Sequence, residues 1–250
     1  MATYDDKDFE GLRTAGRMAA ETLDFITPYV AEGVSTHDLD RLVAENTRHQ
    51  GGICATLNFH GYPKSCCISI NDVICHGIPS KREFLANGDI VNIDITTLYN
   101  GYYGDTSRMF IVGEAPDKAR ELVSTAFEAM MRAIGACRPG QKFSEIGRAI
   151  EEVVKPHGFS IVRDFCGHGI GKVFHDEPNV LHYYDPRSEK LVMQKGQAFT
   201  IEPMINTGSW QSRMDKKNGW TARTADGGLS AQWEHTIGIT DSGAEIFTKT

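Results

Sequence analysis

The stretch NIDITTLYNGYYGDTS, residues 92–107, decides how the rest of the chain is read. Asn100-Gly101 lies between two runs of strand-forming residues. It is a strong two-residue hairpin signal, because both central positions of the favoured turn need positive φ. Pairing the strands about that turn sets Thr96 opposite Asp105 and Asp94 opposite Ser107. Side chains alternate faces, so Asp94, Thr96, Asp105 and Ser107 share one face. Asp94 and Asp105 become diagonal neighbours with backbones roughly 7–8 Å apart. Two carboxylates at that separation hold metal ions between them or repel each other. Gly104 is a candidate bulge, which would shift this register by one residue. Asp94 also interrupts an apolar run, where an unpaired charge is costly.

Upstream of the hairpin, CCISI and DVIC within 66–75 are rich in β-branched residues and predict strands, as does the run from 88 to 98. Before them, Leu12, Ala15, Ala19, Leu23 and Ile26 recur at helical spacing and predict a helix from about Phe9 to Tyr29. Ser35 followed by Asp38 is a variant capping box that opens a second helix. Downstream, a helix is expected from about Pro116 to Ala136, then another around Glu145–Ile150. This second half echoes the first. Gly33, Asp38, Leu39, Arg41 and Val43 reappear as Gly140, Glu145, Ile146, Arg148 and Ile150, each offset by 107. His60-Gly61 matches His168-Gly169, and Gly88 with Asp94 matches Gly196 with Glu202, offset 108. A constant offset argues for a duplicated half-domain. Asp94 and Glu202 would then be pseudo-symmetric partners facing one central cleft.

Three further stretches carry chemistry. FCGHGIGKVFHDEP (165–178) is glycine-rich but lacks the spacing of a phosphate-binding loop. Its glycines let the backbone approach something closely, a peptide or a metal site, beside His168 and His175. Glu202 lies in AFTIEPMI (198–205) and Glu234 in LSAQWEHTIGI (229–239), apolar surroundings that would bury both. A lone buried glutamate is rare unless paired or metal-bound. Four carboxylates and one histidine form an oxygen-rich set suited to two divalent ions with bridging carboxylates.

Composition limits the alternatives. The chain has 250 residues, 24% charged, with a net charge of −7. That balance lacks the basic excess of a nucleic-acid binder. No apolar run approaches the roughly 20 residues of a membrane span. The polar start, MATYDDKDFEGLR, has no signal-peptide core, so the expected location is the cytoplasm. None of the six cysteines forms a CxxC pair, which argues against a structural zinc site and for reduced, mostly buried thiols.

Taken together, CHGIP (75–79), VNIDIT (91–96), GDTS (104–107), CGHGIG (166–171), FHDEP (174–178), TIEPM (200–204) and WEHT (233–236) resemble the methionine aminopeptidases of the short, bacterial type-I kind, in peptidase family M24. The resemblance spans the whole chain in order. It implies an α/β (α+β) pita-bread fold with pseudo-two-fold symmetry: a single catalytic domain over 1–250 whose halves, about 1–110 and 111–250, surround an antiparallel sheet. It implies an enzyme that hydrolyses the N-terminal methionine from nascent proteins when the second residue is small and uncharged. Asp94, Asp105, His168, Glu202 and Glu234 would hold two divalent ions (Co, Mn, Fe or Zn). In that scheme Asp94 is bidentate to one ion, Asp105 and Glu234 bridge, and His168 and Glu202 complete the other. Glu202 would also shuttle the proton, while His76 and His175 hydrogen-bond the scissile peptide. Phe59, Tyr62, Cys67, Phe174 and Trp220 would line the methionine pocket. Thr56 and Phe59 stand where Cys and Tyr are expected in close bacterial relatives. Asn71, Val73 and Ser230 match a site for a monovalent cation, Na or K. The implied partners are nascent chain N-termini, met in transient association with the ribosome, with the enzyme itself a monomer that binds neither specific nucleic acid nor membrane.

Three rival readings are disfavoured. Prolidase and aminopeptidase P share the fold but usually carry an extra N-terminal domain. The type-II methionine enzyme has a large insert before its second-half glutamate. A pseudo-enzyme that binds a partner protein or RNA should have lost metal ligands, yet all five are present.

Overall fold

The computed structural model describes residues 2–250. Four helices, α1 (Asp6–Ile26), α2 (Thr36–His49), α3 (Asp117–Ala136) and α4 (Ser144–Val154), pack as two successive pairs. The strands are β1 (Ile53–Cys54), β2 (Cys67–Ile70), β3 (Val73–Cys75), β4 (Ile90–Tyr99), β5 (Tyr102–Ile111), β6 (Ser160–Ile161), β7 (Gly167–Gly169) and β8 (Asp176–Val180). They continue as β9 (Ala198–Ile201), β10 (Met204–Asn206), β11 (Ser212–Met214), β12 (Ala222–Thr224), β13 (Ser230–Gln232), β14 (Glu234–Thr240) and β15 (Gly243–Ile246).

Local chemistry sets the helix ends. Asp5 caps α1, its carboxylate accepting from the Asp8 N–H at 2.9 Å while Asp8 accepts from the Asp5 N–H at 3.4 Å. The helix therefore starts earlier than its apolar spacing suggested. It also ends earlier, at Ile26, because Pro28 follows with no N–H to offer and only one 3-10 turn, Thr27–Tyr29, remains. Ser35 caps α2 by accepting the Asp38 N–H, and its hydroxyl donates to the Asp38 carboxylate at 2.6 Å. The five apolar positions of α1 identified by spacing are all buried, Leu12, Ala15, Ala19 and Ile26 completely. Each large one contributes about 1.5–3 kcal/mol relative to exposure.

The nine-stranded sheet runs β1-β4-β5-β14-β9-β7-β8, with β2 also on β4 and β15 also on β14. Every pairing in it is antiparallel. The order is symmetric about its middle: hairpin β4–β5 meets the β9–β14 pair where β5 and β14 abut. Helices α1 and α2 pack with β2 and β4, whereas α3 and α4 pack with β9 and β14.

The β4–β5 hairpin has the register read from sequence: Asp94↔Ser107, Thr96↔Asp105, and Tyr99↔Tyr102 flanking the turn. Asn100 and Gly101 both have positive φ, 49° and 83°. Gly104 makes no bulge; Thr97↔Gly104 is an ordinary pair. Its missing Cβ instead lets α1 cross directly over the strand, against the backbone of Ala15 and Gly16.

The offset of 107 or 108 also holds for hydrogen bonds. Gly33 N–H donates to Leu85 O and Gly140 N–H to Met193 O. Thr36 N–H donates to Glu83 O and Phe143 N–H to Leu191 O. The offset does not extend to Gly88 and Gly196, whose N–H groups donate to Val112 O and Ile239 O, acceptors with a larger offset than the donors. The proposed equivalence of His60-Gly61 with His168-Gly169 does not hold locally. The first lies in a 3-10 turn with His60 at φ 48°, the second in β7.

Candidate metal centre

Five side chains meet where the β4–β5 hairpin joins the β9–β14 pair. Asp94 comes from β4, Asp105 from β5, His168 from β7, Glu202 from the residue after β9, and Glu234 from the start of β14. Asp105, His168, Glu202 and Glu234 are buried, while Asp94 keeps some exposure toward the cavity. One ligand atom each of Asp105, His168 and Glu234 lies within 4.8 Å of the others. The Nε2 of His168 stands 3.6 Å from Asp105 Oδ2 and 3.7 Å from Glu202 Oε1. These separations are longer than hydrogen bonds and suit oxygen and nitrogen atoms arranged around common cations.

The electrostatics demand positive charge. Burial pushes Asp94 well above the ordinary carboxylate range, and neighbouring Asp105 and Glu202 push it further. Glu234 is raised in the same way by burial, then by Asp105, Glu202 and Asp94. Glu202 is pushed up to about 7 by burial, partly offset by His168 and by the Thr200 hydroxyl. Burial opposes the charged form of His168, but Asp105 and Glu202 outweigh it and raise its pKa. The surrounding cavity, about 590 Å³, has no lysine or arginine in its lining. An acidic donor set this enclosed, with no lysine or arginine to balance it, fits divalent ions.

His76 and His175 face the same cavity. His76 is pushed down by burial. His175 is pushed down by its enclosed ring face and by His168, whose ring centre is 4.1 Å away. Both rings are therefore neutral near pH 7, with an N–H to donate. Around them stand Phe59, stacked on His175 at 5.0 Å, Phe174, Tyr62, Cys67 and Trp220, with Thr56 also in the wall. Tyr62 is held rigidly, its hydroxyl donating to Gly77 O at 2.8 Å, and Trp220 packs edge-on against it at 5.2 Å.

Three residues of the remaining sequence set lie apart from this cavity. Asn71 follows β2, Val73 opens β3 and Ser230 opens β13, and the Ser230 N–H donates to Asn71 O at 2.8 Å. Ser230 Oγ is buried without a partner.

The glycine-rich run serves a different purpose from the one expected of it. A Cβ on Gly167 would overlap the Thr200 carbonyl of β9, one on Gly169 the Glu177 carbonyl, and one on Gly171 the Tyr4 phenol. The close approaches are to the protein's own chain.

Sequence reasoning passed over the groups that hold the carboxylates. Thr200 Oγ1 donates to Glu202 Oε1 at 2.7 Å and accepts the His168 N–H at 3.0 Å. Gln232 Nε2 donates to Glu202 Oε2 at 3.2 Å. Thr96 Oγ1 donates to Asp105 Oδ1 at 2.7 Å. His182, fully buried, accepts the Glu202 backbone N–H.

A buried cluster of carboxylates and one histidine on a curled antiparallel sheet defines a metal-dependent hydrolase centre. The profile of metallopeptidase family M24 matches residues 10–241. The chain is 51% identical over 243 residues to the methionine aminopeptidase of Escherichia coli (strain K12), covering 97% of this chain and 91% of that one. It superposes on the crystal structure of methionine aminopeptidase from Rickettsia prowazekii with a TM-score of 0.96 at 48% identity, covering 99% of each chain. The prolidase from Pyrococcus furiosus shares only the fold, at 24% identity and a TM-score of 0.77 over 99% of this chain and 65% of that chain. This chain belongs to metallopeptidase family M24, among the methionine aminopeptidases, and has their pita-bread fold. It is a metal-dependent aminopeptidase. No helix among the described residues is long and apolar enough to cross a membrane.

Proposed function

We propose that the protein removes the N-terminal methionine from newly made polypeptides whose second residue is small and uncharged, as one catalytic domain built from two duplicated halves, about 1–110 and 111–250. The observation that carries this reading is the single cavity in which a carboxylate-rich centre adjoins Phe59, Tyr62, Cys67, Phe174 and Trp220. Those side chains offer an unbranched thioether polarizable contacts and offer a charged side chain none.

Asp94, Asp105, His168, Glu202 and Glu234 would hold two divalent ions, of Co, Mn, Fe or Zn. When bound, such ions polarise a carbonyl and lower the pKa of an attached water. Glu202, held by the Thr200 hydroxyl and the Gln232 amide, would take a proton from the attacking water and pass it to the leaving amine. His76 and His175, both neutral, donate ring N–H groups to the scissile peptide as charge develops on its oxygen. Asn71, Val73 and Ser230 frame a site for Na or K, to which the unpartnered Ser230 Oγ and the second lone pair of Asn71 O lend support. The enzyme works as a monomer in the cytoplasm, meeting nascent N-termini by transient association with the ribosome.

A tripeptide panel of Met-Ala-Ser, Met-Lys-Ser, Leu-Ala-Ser and Ala-Pro-Ser tests the specificity. Rapid cleavage of Met-Ala-Ser alone is expected. Preference for Ala-Pro-Ser would move the chain to proline-directed chemistry, and no cleavage with metal supplied would leave a binding protein.

A further inference from the structure

His175 stands at the end of a loop, Ile170–Phe174, whose conformation decides where its ring points. Two backbone bonds tie that loop to the body: Ile170 N–H to Ala198 O at 3.1 Å, and Tyr103 N–H to Gly171 O at 2.9 Å. The next residues are held from an unexpected direction. Tyr4, ahead of α1, lays its phenol directly over Gly171, in the space a Cβ would occupy. Its hydroxyl accepts the Lys172 N–H at 3.3 Å, and its own N–H donates to Gly196 O at 2.7 Å. Asp8, in the first turn of α1, accepts from Lys172 Nζ at 2.6 Å and from the Tyr102 hydroxyl at 2.7 Å. Beyond Lys172 come exposed Val173, then Phe174 stacked on Tyr103, then His175.

We infer that Tyr4, seated on Gly171 and Lys172, is a positioning residue that sets the His175 imidazole against the substrate. The inference rests on the role given to His175 above. It explains why position 171 is glycine: the aromatic ring takes the volume that a side chain would fill. It also ties the segment before α1 to the active site, though that segment neither lines the cavity nor touches a reacting atom. A ring displaced by about 1 Å at a catalytic group costs up to about 100-fold in rate. Val173 and Phe174 stand between Lys172 and His175, so a smaller loss is expected.

The test is a double-mutant cycle on Met-Ala-Ser cleavage by the metal-loaded enzyme. Tyr4→Ala should lower kcat about tenfold, shift KM less than twofold and leave bound metal unchanged. In a His175→Ala background the same substitution should have no further effect, since residues acting through one group are not additive. Tyr4→Phe keeps the ring and loses the acceptor, so it should cost about threefold in kcat with the same dependence on His175; it also serves if Tyr4→Ala fails to fold. A loss that persists at full size without His175 overturns the inference, and so does an unchanged kcat in both Tyr4 variants. Wild-type kcat in His175→Ala protein overturns the role of His175 itself, and the positioning claim falls with it.

Discussion

The Nε2 of His182 accepts the backbone N–H of Glu202 at 3.1 Å. Glu202 is where the chain leaves the nine-stranded sheet at the end of β9 and passes through Pro203 into β10, so this N–H has no strand partner. Burial pushes the His182 pKa down to about 3 and keeps the ring neutral, which leaves Nε2 a lone pair. His182→Leu should strand a buried N–H, at a cost of about 1–3 kcal/mol. For a chain of this size that lowers Tm by about 2–12 °C. His182→Gln, with an amide oxygen at similar reach, should recover most of the loss in calorimetry. Equal Tm values for the two variants would mean that the imidazole matters only by filling space.

Ligands and histidines should separate in a combined metal and kinetic assay. Asp105→Ala or Glu234→Ala removes a carboxylate from the heart of the cluster, so metal content and rate should fall together. His76→Ala or His175→Ala should leave metal content near normal and lower kcat about 10²–10³-fold, as for a lost oxyanion donor. Metal loss from His175→Ala protein would reassign that residue to the ligand set.

Gly104→Ala should be far more damaging than Gly101→Ala, although both lie in one hairpin. A Cβ at 104 meets the backbone of Ala15 and Gly16, which cannot rotate away. At 101 the space is open and only the left-handed conformation, φ 83°, resists alanine, costing about 1–2 kcal/mol. Denaturant unfolding of the two variants measures the difference. Similar stabilities would show that α1 shifts freely over the sheet.

Much of this was legible because it depends on local rules. Asn100-Gly101 fixes a turn, the turn fixes a register, and the register puts Asp94 and Asp105 on one face. Three of the candidate ligands, Asp94, Glu202 and Glu234, stand out as charges in apolar runs. The supporting groups were less visible, because Thr, Ser and Gln in strands are common. A signal was nevertheless present: each carboxylate has a polar partner two residues away on its own face, Thr96 for Asp94, Ser107 for Asp105, Thr200 for Glu202 and Gln232 for Glu234. Period-two reading finds these groups but does not say which carboxylate each serves, and Thr96 in fact donates across the hairpin to Asp105. His182 and Tyr4 left no such trace. Their partners lie 20 and 168 residues away, and only the folded chain brings them together.

Metal should govern how stability depends on pH. In the metal-free protein, Asp94, Glu234 and Glu202 have raised pKa values, Glu202 near 7, and His168 is raised as well. Unfolded carboxyls titrate near about 4, so between about pH 4 and 7 the native state binds more protons than the unfolded one. Stability from these groups is therefore present at low pH and lost as pH rises through their folded values. His175 and His182, pushed down to about 4 and about 3, act in the opposite sense below about pH 6.5. Burial, the larger cause of the His182 shift, does not depend on metal, so comparing the two forms reduces the opposing contribution. Bound cations favour the ionised ligands, and metal affinity itself grows as the ligands lose protons. The Tm gap between Mn-loaded and chelated protein should thus widen steadily from pH 5 to pH 8. Both forms should keep a cooperative transition, since the ligands sit on a sheet backed by two apolar cores. Scanning calorimetry on both forms at matched ionic strength measures the gap directly. A gap that stays flat over this range would mean that the carboxylates are not held against their own repulsion.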